Sequence, residues 1–207
     1  MYHVSRIRRF VLSQNTITRR QLFGMIFGGA TVGGVLAKSK KDTPTLLRPP
    51  GAQPESDFLA ACIRCGQCVE ACPYDSLKLA TATQGTATAG TPYLVAREVP
   101  CHLCQNYGEM RCIPACPTQA LQPLAEKSDV EMGVAVVNPN TCLAWNGVMC
   151  RACWHICPFP NTAIDFDLRG RPNVYPESCV GCGLCEFACP TKTTSITIIP
   201  SRTQEAE

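Results

Sequence analysis

The segment "CIRCGQCVEACP", residues 62–73, sets four cysteines at spacings of two, two and three residues and closes on a proline. The same spacing returns in "CVGCGLCEFACP", residues 179–190. A C-x2-C-x2-C loop curls the backbone so that three thiolates converge on one face of an iron–sulfur cubane with amide N–H groups pointing inward. The fourth cysteine lies on the following helical turn, faces the other way, and so serves a neighbouring cluster. The proline ends that turn and redirects the chain.

Two further tetrads lie between these. "CHLCQNYGEMRCIPACP", residues 101–117, widens the second gap to seven residues, and "CLAWNGVMCRACWHICP", residues 142–158, widens the first gap to seven. All four end C-x3-C-P, and together they use all sixteen cysteines of the 207-residue chain. Each is followed by a small and an aliphatic residue: Ser76-Leu77, Ala120-Leu121, Ala163-Ile164 and Ser195-Ile196. β-like stretches precede the third and fourth, at Val134–Val137 and Asn173–Tyr175. The repeating unit is therefore a strand, a cysteine loop, a turn or two of helix from the third cysteine, and a return strand. Four such units, at about 58–80, 93–124, 134–168 and 172–199, predict a loop-rich α+β protein of tandem bacterial-type ferredoxin folds around four [4Fe-4S] clusters.

Cysteine this dense also suits a disulfide-stapled secreted protein. Disulfides require no proline-terminated triplets, and zinc sites use paired C-x2-C arms rather than three cysteines at two-residue intervals. Spacing leaves open whether one cluster is a three-iron form. His102 and His155 fall inside cysteine loops, where a packed or hydrogen-bonding imidazole is expected. Trp145, Trp154, Tyr107 and Phe159 are expected to shield clusters from water, with a docking role open for Trp145. No nucleophile–base grouping, phosphate-cradling loop or apolar quinol pocket is legible, so a non-catalytic electron carrier is expected.

Residues 1–37 hold five arginines and no acid; without them, 14 basic residues face 16 acidic ones, a net −2 in place of the whole chain's +3. That body has no basic excess for a phosphate backbone, which argues against nucleic acid as a partner. Arg19-Arg20 stands ahead of an apolar, glycine-rich run from Leu22 to Ala37. Sixteen residues are short for a bilayer span, which needs about 20. The segment reads as a twin-arginine signal over 1–37, a route for proteins folded with cofactor in place. Clusters assembled in a reducing cytoplasm and exported folded keep their thiolates from disulfide exchange, so leader and cysteines explain one another. Whether the leader is removed stays open. Residues 38–57, polar and proline-rich, read as a tether, the folded body as 58–200, "TATQGTATAGTP" (81–92) as a surface loop, and 201–207 as a polar tail.

From Arg19-Arg20 to Cys189-Pro190, seven-residue gaps included, the chain resembles the ferredoxin-type proteins of the MauM/NapG family. The resemblance implies a periplasmic protein, peripheral to the inner membrane. It would relay electrons from membrane quinol, with a polytopic membrane iron–sulfur partner, toward a multihaem c-type cytochrome and, indirectly, a periplasmic nitrate reductase. An iron–sulfur subunit of another exported molybdenum oxidoreductase, or the methylamine-utilisation relative, is the alternative. By the same resemblance Cys62, Cys65 and Cys68 hold one cluster, Cys101, Cys104 and Cys112 a second, Cys142, Cys150 and Cys153 a third, and Cys179, Cys182 and Cys185 a fourth. The swapped ligands Cys72, Cys116, Cys157 and Cys189 complete them. Similar four-cluster subunits pair repeat one with four and two with three, which is the pairing expected here.

Overall fold

The computed structural model describes residues 45–201. The leader, residues 38–44 of the tether and residues 202–207 lie outside the described residues. In chain order the elements are α1 (Glu55–Ala61), α2 (Gln67–Glu70), β1 (Leu77–Leu79), β2 (Pro92–Leu94), β3 (Gly133–Val137), α3 (Ala152–Ile156), β4 (Ile164–Phe166), β5 (Pro172–Val174), α4 (Leu184–Phe187) and β6 (Ile196–Pro200). Among the described residues no helix is long and apolar enough to cross a membrane.

The strands pair in two nested sets. In the second half, β4 and β5 form an inner antiparallel hairpin with Ile164 opposite Val174, while β3 and β6 form an outer antiparallel pair with Ala135 opposite Ile198 and Val137 opposite Ile196. The first half repeats this. β1 and β2 make the inner hairpin, Leu77 opposite Leu94, and Ala52 bridges Leu121 as the outer pair. There the Gln122 amide donates to the Gly51 carbonyl at 2.6 Å and the Gln53 amide to the Ala120 carbonyl at 3.2 Å. Each half is thus a two-repeat unit in which the chain before its first cysteine loop pairs with the chain after its second.

The small-plus-aliphatic pairs after each C-P are the starts of these returning segments. Ala163, Ile164, Ser195 and Ile196 are all buried, as are Ser76, Leu77, Ala120 and Leu121. Along β3 and β6, burial alternates with period two: Ala135 and Ile196 face inward, Val136 and Thr197 outward. Helices of four to five residues carry the third cysteine in repeats one, three and four. Repeat two makes only turns there, because its long gap delivers Cys112 from an irregular loop. Helices α2 and α4 begin at Gly66 (φ 77°) and Gly183 (φ 85°), a left-handed conformation that glycine adopts without Cβ strain.

Residues 45–57 are not a tether. Leu46 and Leu47 are buried, and the Leu94 amide donates to the Leu47 carbonyl at 2.8 Å, adding a third segment beside β2. Arg48, 2% exposed, donates to Glu55 through Nε at 2.9 Å and through its terminal nitrogen, and to Thr91 Oγ1 (2.8 Å) and the Pro92 carbonyl (2.9 Å). Its guanidinium also lies 4.8 Å from the centroid of the fully buried Phe58 ring. A buried charge with this many partners fastens the segment to the inner hairpin. The prolines and polar residues that suggested a linker instead shape a strand-like wrap. The 81–92 stretch does connect the two hairpin strands, yet its own Thr88 and Thr91 are buried.

Candidate metal centres

Four chambers of nearly equal size, 310–380 Å³ of empty volume, are each lined by four cysteines. The first holds Cys62, Cys65 and Cys68 with Cys116. The second holds Cys101, Cys104 and Cys112 with Cys72. The third holds Cys142, Cys150 and Cys153 with Cys189, and the fourth holds Cys179, Cys182 and Cys185 with Cys157. The triplets are those the spacing defines. The swap, however, is between repeats one and two and between three and four, not one with four and two with three. The strand pairing dictates it: β1 of repeat one pairs with β2 leading into repeat two, which turns Cys72 and Cys116 toward each other's loops.

All sixteen cysteines are free of disulfides. Among the described residues no three Cys, His, Asp or Glu side chains converge closely enough for a single metal ion. Tetrahedral zinc needs four sulfurs within about 2.3 Å of one point; a cubane presents four separate iron corners, and four thiols spread around a chamber match that. The chambers' remaining walls are mostly aliphatic or aromatic. Burial pushes the Cys68 and Cys153 thiols up to about 11 and the Cys112 and Cys182 thiols to about 12, with neighbouring thiolates adding to the effect. Cys101 and Cys185 rise for the same reasons. Such thiols resist ionising alone and require a cationic partner to do so, which iron supplies.

Cys116 and Cys189 run the other way. Burial works against their ionisation but is outweighed, at Cys116 by the Leu121 amide and the Thr118 hydroxyl, and at Cys189 by the Thr191 hydroxyl and the Ser195 amide. Thr191 Oγ1 lies 3.0 Å from the Cys189 sulfur and 3.0 Å from Ser195 Oγ, and the Ser195 amide donates to the sulfur at 3.4 Å. The Thr118 contact is longer, 3.8 Å. With the sulfur ionised, Thr191 donates to it and accepts from Ser195.

Sequence reasoning did not pick out these threonines, nor Tyr74, although the signal is present. Each stands two residues after a swapped cysteine, in C-P-x. Tyr74 and Phe159 line the second and fourth chambers; Thr118 and Thr191 line the first and third. His102 is packed as expected, stacked on Tyr74 with ring centroids 4.5 Å apart, and His155 lies edge-on to Trp154. Trp154 lines no chamber; it packs, part-buried, against the cluster of Ala135, Ile164 and Ile196, its indole N–H donating to Asn161 at 3.1 Å. Trp145 and Tyr107 do not line a chamber. Both are exposed, capped by Arg171 at 4.4 Å and Arg111 at 5.1 Å respectively. A surface groove of about 1400 Å³ that the sequence does not reveal lies along repeat two, between Met110, Ile113, Leu124 and Phe159.

These centres and this fold define a ferredoxin-type iron–sulfur protein with an electron-transfer role. Residues 61–120, repeats one and two together, match the 4Fe-4S dicluster domain family, in keeping with their pairing, and residues 172–193 match the 4Fe-4S binding domain family. The chain is 43% identical over 183 residues to the methylamine utilization ferredoxin-type protein MauM of Methylorubrum extorquens, covering 83% of this chain and 80% of that protein. It is 41% identical over 188 residues to the ferredoxin-type protein NapG of Escherichia coli, covering 84% and 80%. With the ferredoxin-type protein NapF of Escherichia coli it shares 28% over 160 residues, covering 76% and 88%. The chain belongs to the MauM/NapG family of ferredoxin-type proteins and binds [4Fe-4S] clusters.

Proposed function

We propose that the sixteen cysteines hold four [4Fe-4S] clusters, one per chamber, and that the protein relays electrons from membrane quinol toward a multihaem c-type cytochrome and a periplasmic nitrate reductase. The observation that carries the reading is the set of four equal cysteine chambers packed into one body. In that body the Cys101 amide of the second chamber's loop donates to the Cys182 carbonyl of the fourth at 2.9 Å. Clusters supply one-electron chemistry without bond making; the chain's own residues bind them, exclude water and set their potentials. Quinol oxidation is assigned to a polytopic membrane iron–sulfur partner, with this chain as the conducting component. The twin-arginine leader supports export as a folded protein to the periplasmic face of the inner membrane.

Anaerobic holoprotein is expected to contain about sixteen iron atoms and as many acid-labile sulfides per chain. It should be reduced by dithionite, show no quinol turnover alone, and co-purify from membranes with the polytopic partner. Quinol turnover by the isolated protein would return the oxidising site to this chain, the repeat-two groove being the place to look. The comparable identity to MauM supports a second reading, a relay serving methylamine utilisation. Which oxidoreductase is recovered with the membrane complex separates the two.

A further inference from the structure

We infer that the four cysteine chambers stand in the spatial order one, two, four, three, so that repeats one and three form the two terminals and the contact between repeats two and four is the bridge. This rests on the proposed ligand sets. Chain order would instead place repeat three in the middle and repeat four at an end.

Within each half the ligands interlock. Cys68 of the first chamber and Cys72 of the second are one helical turn apart, as are Cys153 of the third and Cys157 of the fourth. Each half also exchanges its fourth wall: Cys116 of repeat two closes the first chamber and Cys72 of repeat one the second, as Cys189 closes the third and Cys157 the fourth. Between the halves, cysteines of chambers two and four meet: the Cys101 amide bonds the Cys182 carbonyl at 2.9 Å. The seam around that bond is close-fitted. A Cβ on Gly183 would fall 2.5 Å from the Ala96 methyl, and the Arg97 guanidinium donates to the carbonyls of Glu186 (2.8 Å), Phe187 (3.2 Å), Cys189 (2.8 Å) and Thr191 (3.2 Å). Beside it the Met132 amide bonds the Val180 carbonyl at 3.2 Å.

The C-P-x position marks the same division: aromatic at the inner chambers (Tyr74, Phe159), threonine at the terminal ones (Thr118, Thr191). Burial agrees. Cys104, Cys112 and Cys182 of the inner chambers are buried against Cys68 alone in the terminal ones, where Cys65 is exposed and every cysteine of the third chamber is part-exposed. An electron crossing the chain would oxidise one cluster by one electron as it reduces the next, with no proton or bond exchanged. One external reductant and one external oxidant, each a one-electron partner at a terminal, complete the balance.

The test places a distinct paramagnet in one chamber at a time of the full-length holoprotein. Cys65→Asp, Cys104→Asp, Cys150→Asp and Cys182→Asp each leave three thiolates, suited to a three-iron form, in chambers one, two, three and four. The readout is broadening and faster relaxation of the other clusters' EPR signals in the reduced protein. The expected result is that substitution in chamber two or four perturbs two other signals, and in chamber one or three only one. A chamber-one label perturbing two signals, or a chamber-two label perturbing one, overturns the order. Iron analysis separates this from the ligand reading: each variant is expected to lose about one iron atom in sixteen, or to keep it on the new oxygen ligand with a changed line shape and potential. A variant with all four signals unchanged in both refutes the ligand sets themselves. Should an Asp variant fail to fold, the corresponding Ser variant and the Arg97→Ala protein, with every ligand intact, carry the test. Arg97→Ala loosens the seam and also frees the Cys189 and Thr191 carbonyls beside chamber three. The coupling between the chamber-two and chamber-four signals is therefore expected to weaken while that between chambers one and two is unchanged; a weakened one–two coupling with an intact two–four coupling overturns the order.

Discussion

Replacing Thr191 with Val deletes the hydroxyl 3.0 Å from the Cys189 sulfur and keeps the side chain's shape. A hydrogen bond to a charged group is worth about 1.5–3 kcal/mol. The reduced cluster carries one more negative charge than the oxidised one, so the bond favours reduction by the difference between the two states. Taking that difference as about 1 kcal/mol, and a one-electron couple as 59 mV per tenfold, or about 1.4 kcal/mol, the cluster of the third chamber should fall by about 40 mV. Thr191→Ser keeps the hydroxyl and should restore the potential. Thr118→Val, acting across 3.8 Å, should move the first chamber's cluster less. The assay is an EPR-monitored redox titration of the full holoprotein. An unchanged potential in Thr191→Val, or an equal drop in Thr191→Ser, refutes the tuning argument. The valine also strips Ser195 Oγ of its partner in a buried site, which should cost about 1–3 kcal/mol of stability, readable by thermal unfolding.

Three further outcomes follow from the geometry. Cys116→Ala should remove the cluster of repeat one's triplet and Cys72→Ala that of repeat two's, seen as loss of the matching EPR component; the reverse assignment would contradict the observed swap. Arg48→Ala removes the hydrogen bonds donated to Glu55, Thr91 Oγ1 and the Pro92 carbonyl; with Arg48 buried but Glu55 about a third exposed, the loss should cost about 1–3 kcal/mol in denaturant unfolding without changing iron content. Gly66→Ala should cost about 1–2 kcal/mol for its left-handed φ alone, since its Cβ meets nothing closer than 3.9 Å; Gly183→Ala adds collision with Ala96 and should cost about 1–3 kcal/mol more.

The cysteine triplets were fully legible because a short loop closes on itself: three ligands within a few residues need no tertiary information. The swapped ligands were legible as swapped but not as to destination. Destination depends on which strand pairs with which, and β1, β2, β4 and β5 are three residues long, too short to show a period-two pattern. Analogy with other four-cluster subunits supplied the wrong partners. Residues 45–57 misled for a related reason. Proline and charge suggest a linker, but Arg48 is buried by partners distant in sequence, Thr91 and Pro92, which no local window contains. Trp145 and Tyr107 were assigned to shielding by residue type alone; in the fold, arginines cover them at the surface while smaller walls close the chambers.

The residue after each C-P carries the physical logic further than the cysteines do. A swapped sulfur enters its chamber beside whatever side chain follows the proline, so that residue fixes the polarity of the wall at one iron corner. An aromatic there excludes water, and the Tyr74 hydroxyl meets Asn106 at 3.5 Å rather than a sulfur, which disfavours the extra negative charge of the reduced state; threonine lowers that cost by donating to the sulfur. Tyr74 and Phe159 therefore should give the two inner clusters lower potentials than those beside Thr118 and Thr191. An electron then rests preferentially at a terminal, where an external partner can collect it, and spends least time at the buried bridge. A potentiometric titration in which the first clusters to reduce are those of chambers one and three bears this out. Early reduction of chamber two or four would mean that backbone amides around the buried sulfurs outweigh both burial and the lack of a threonine donating to the swapped sulfur.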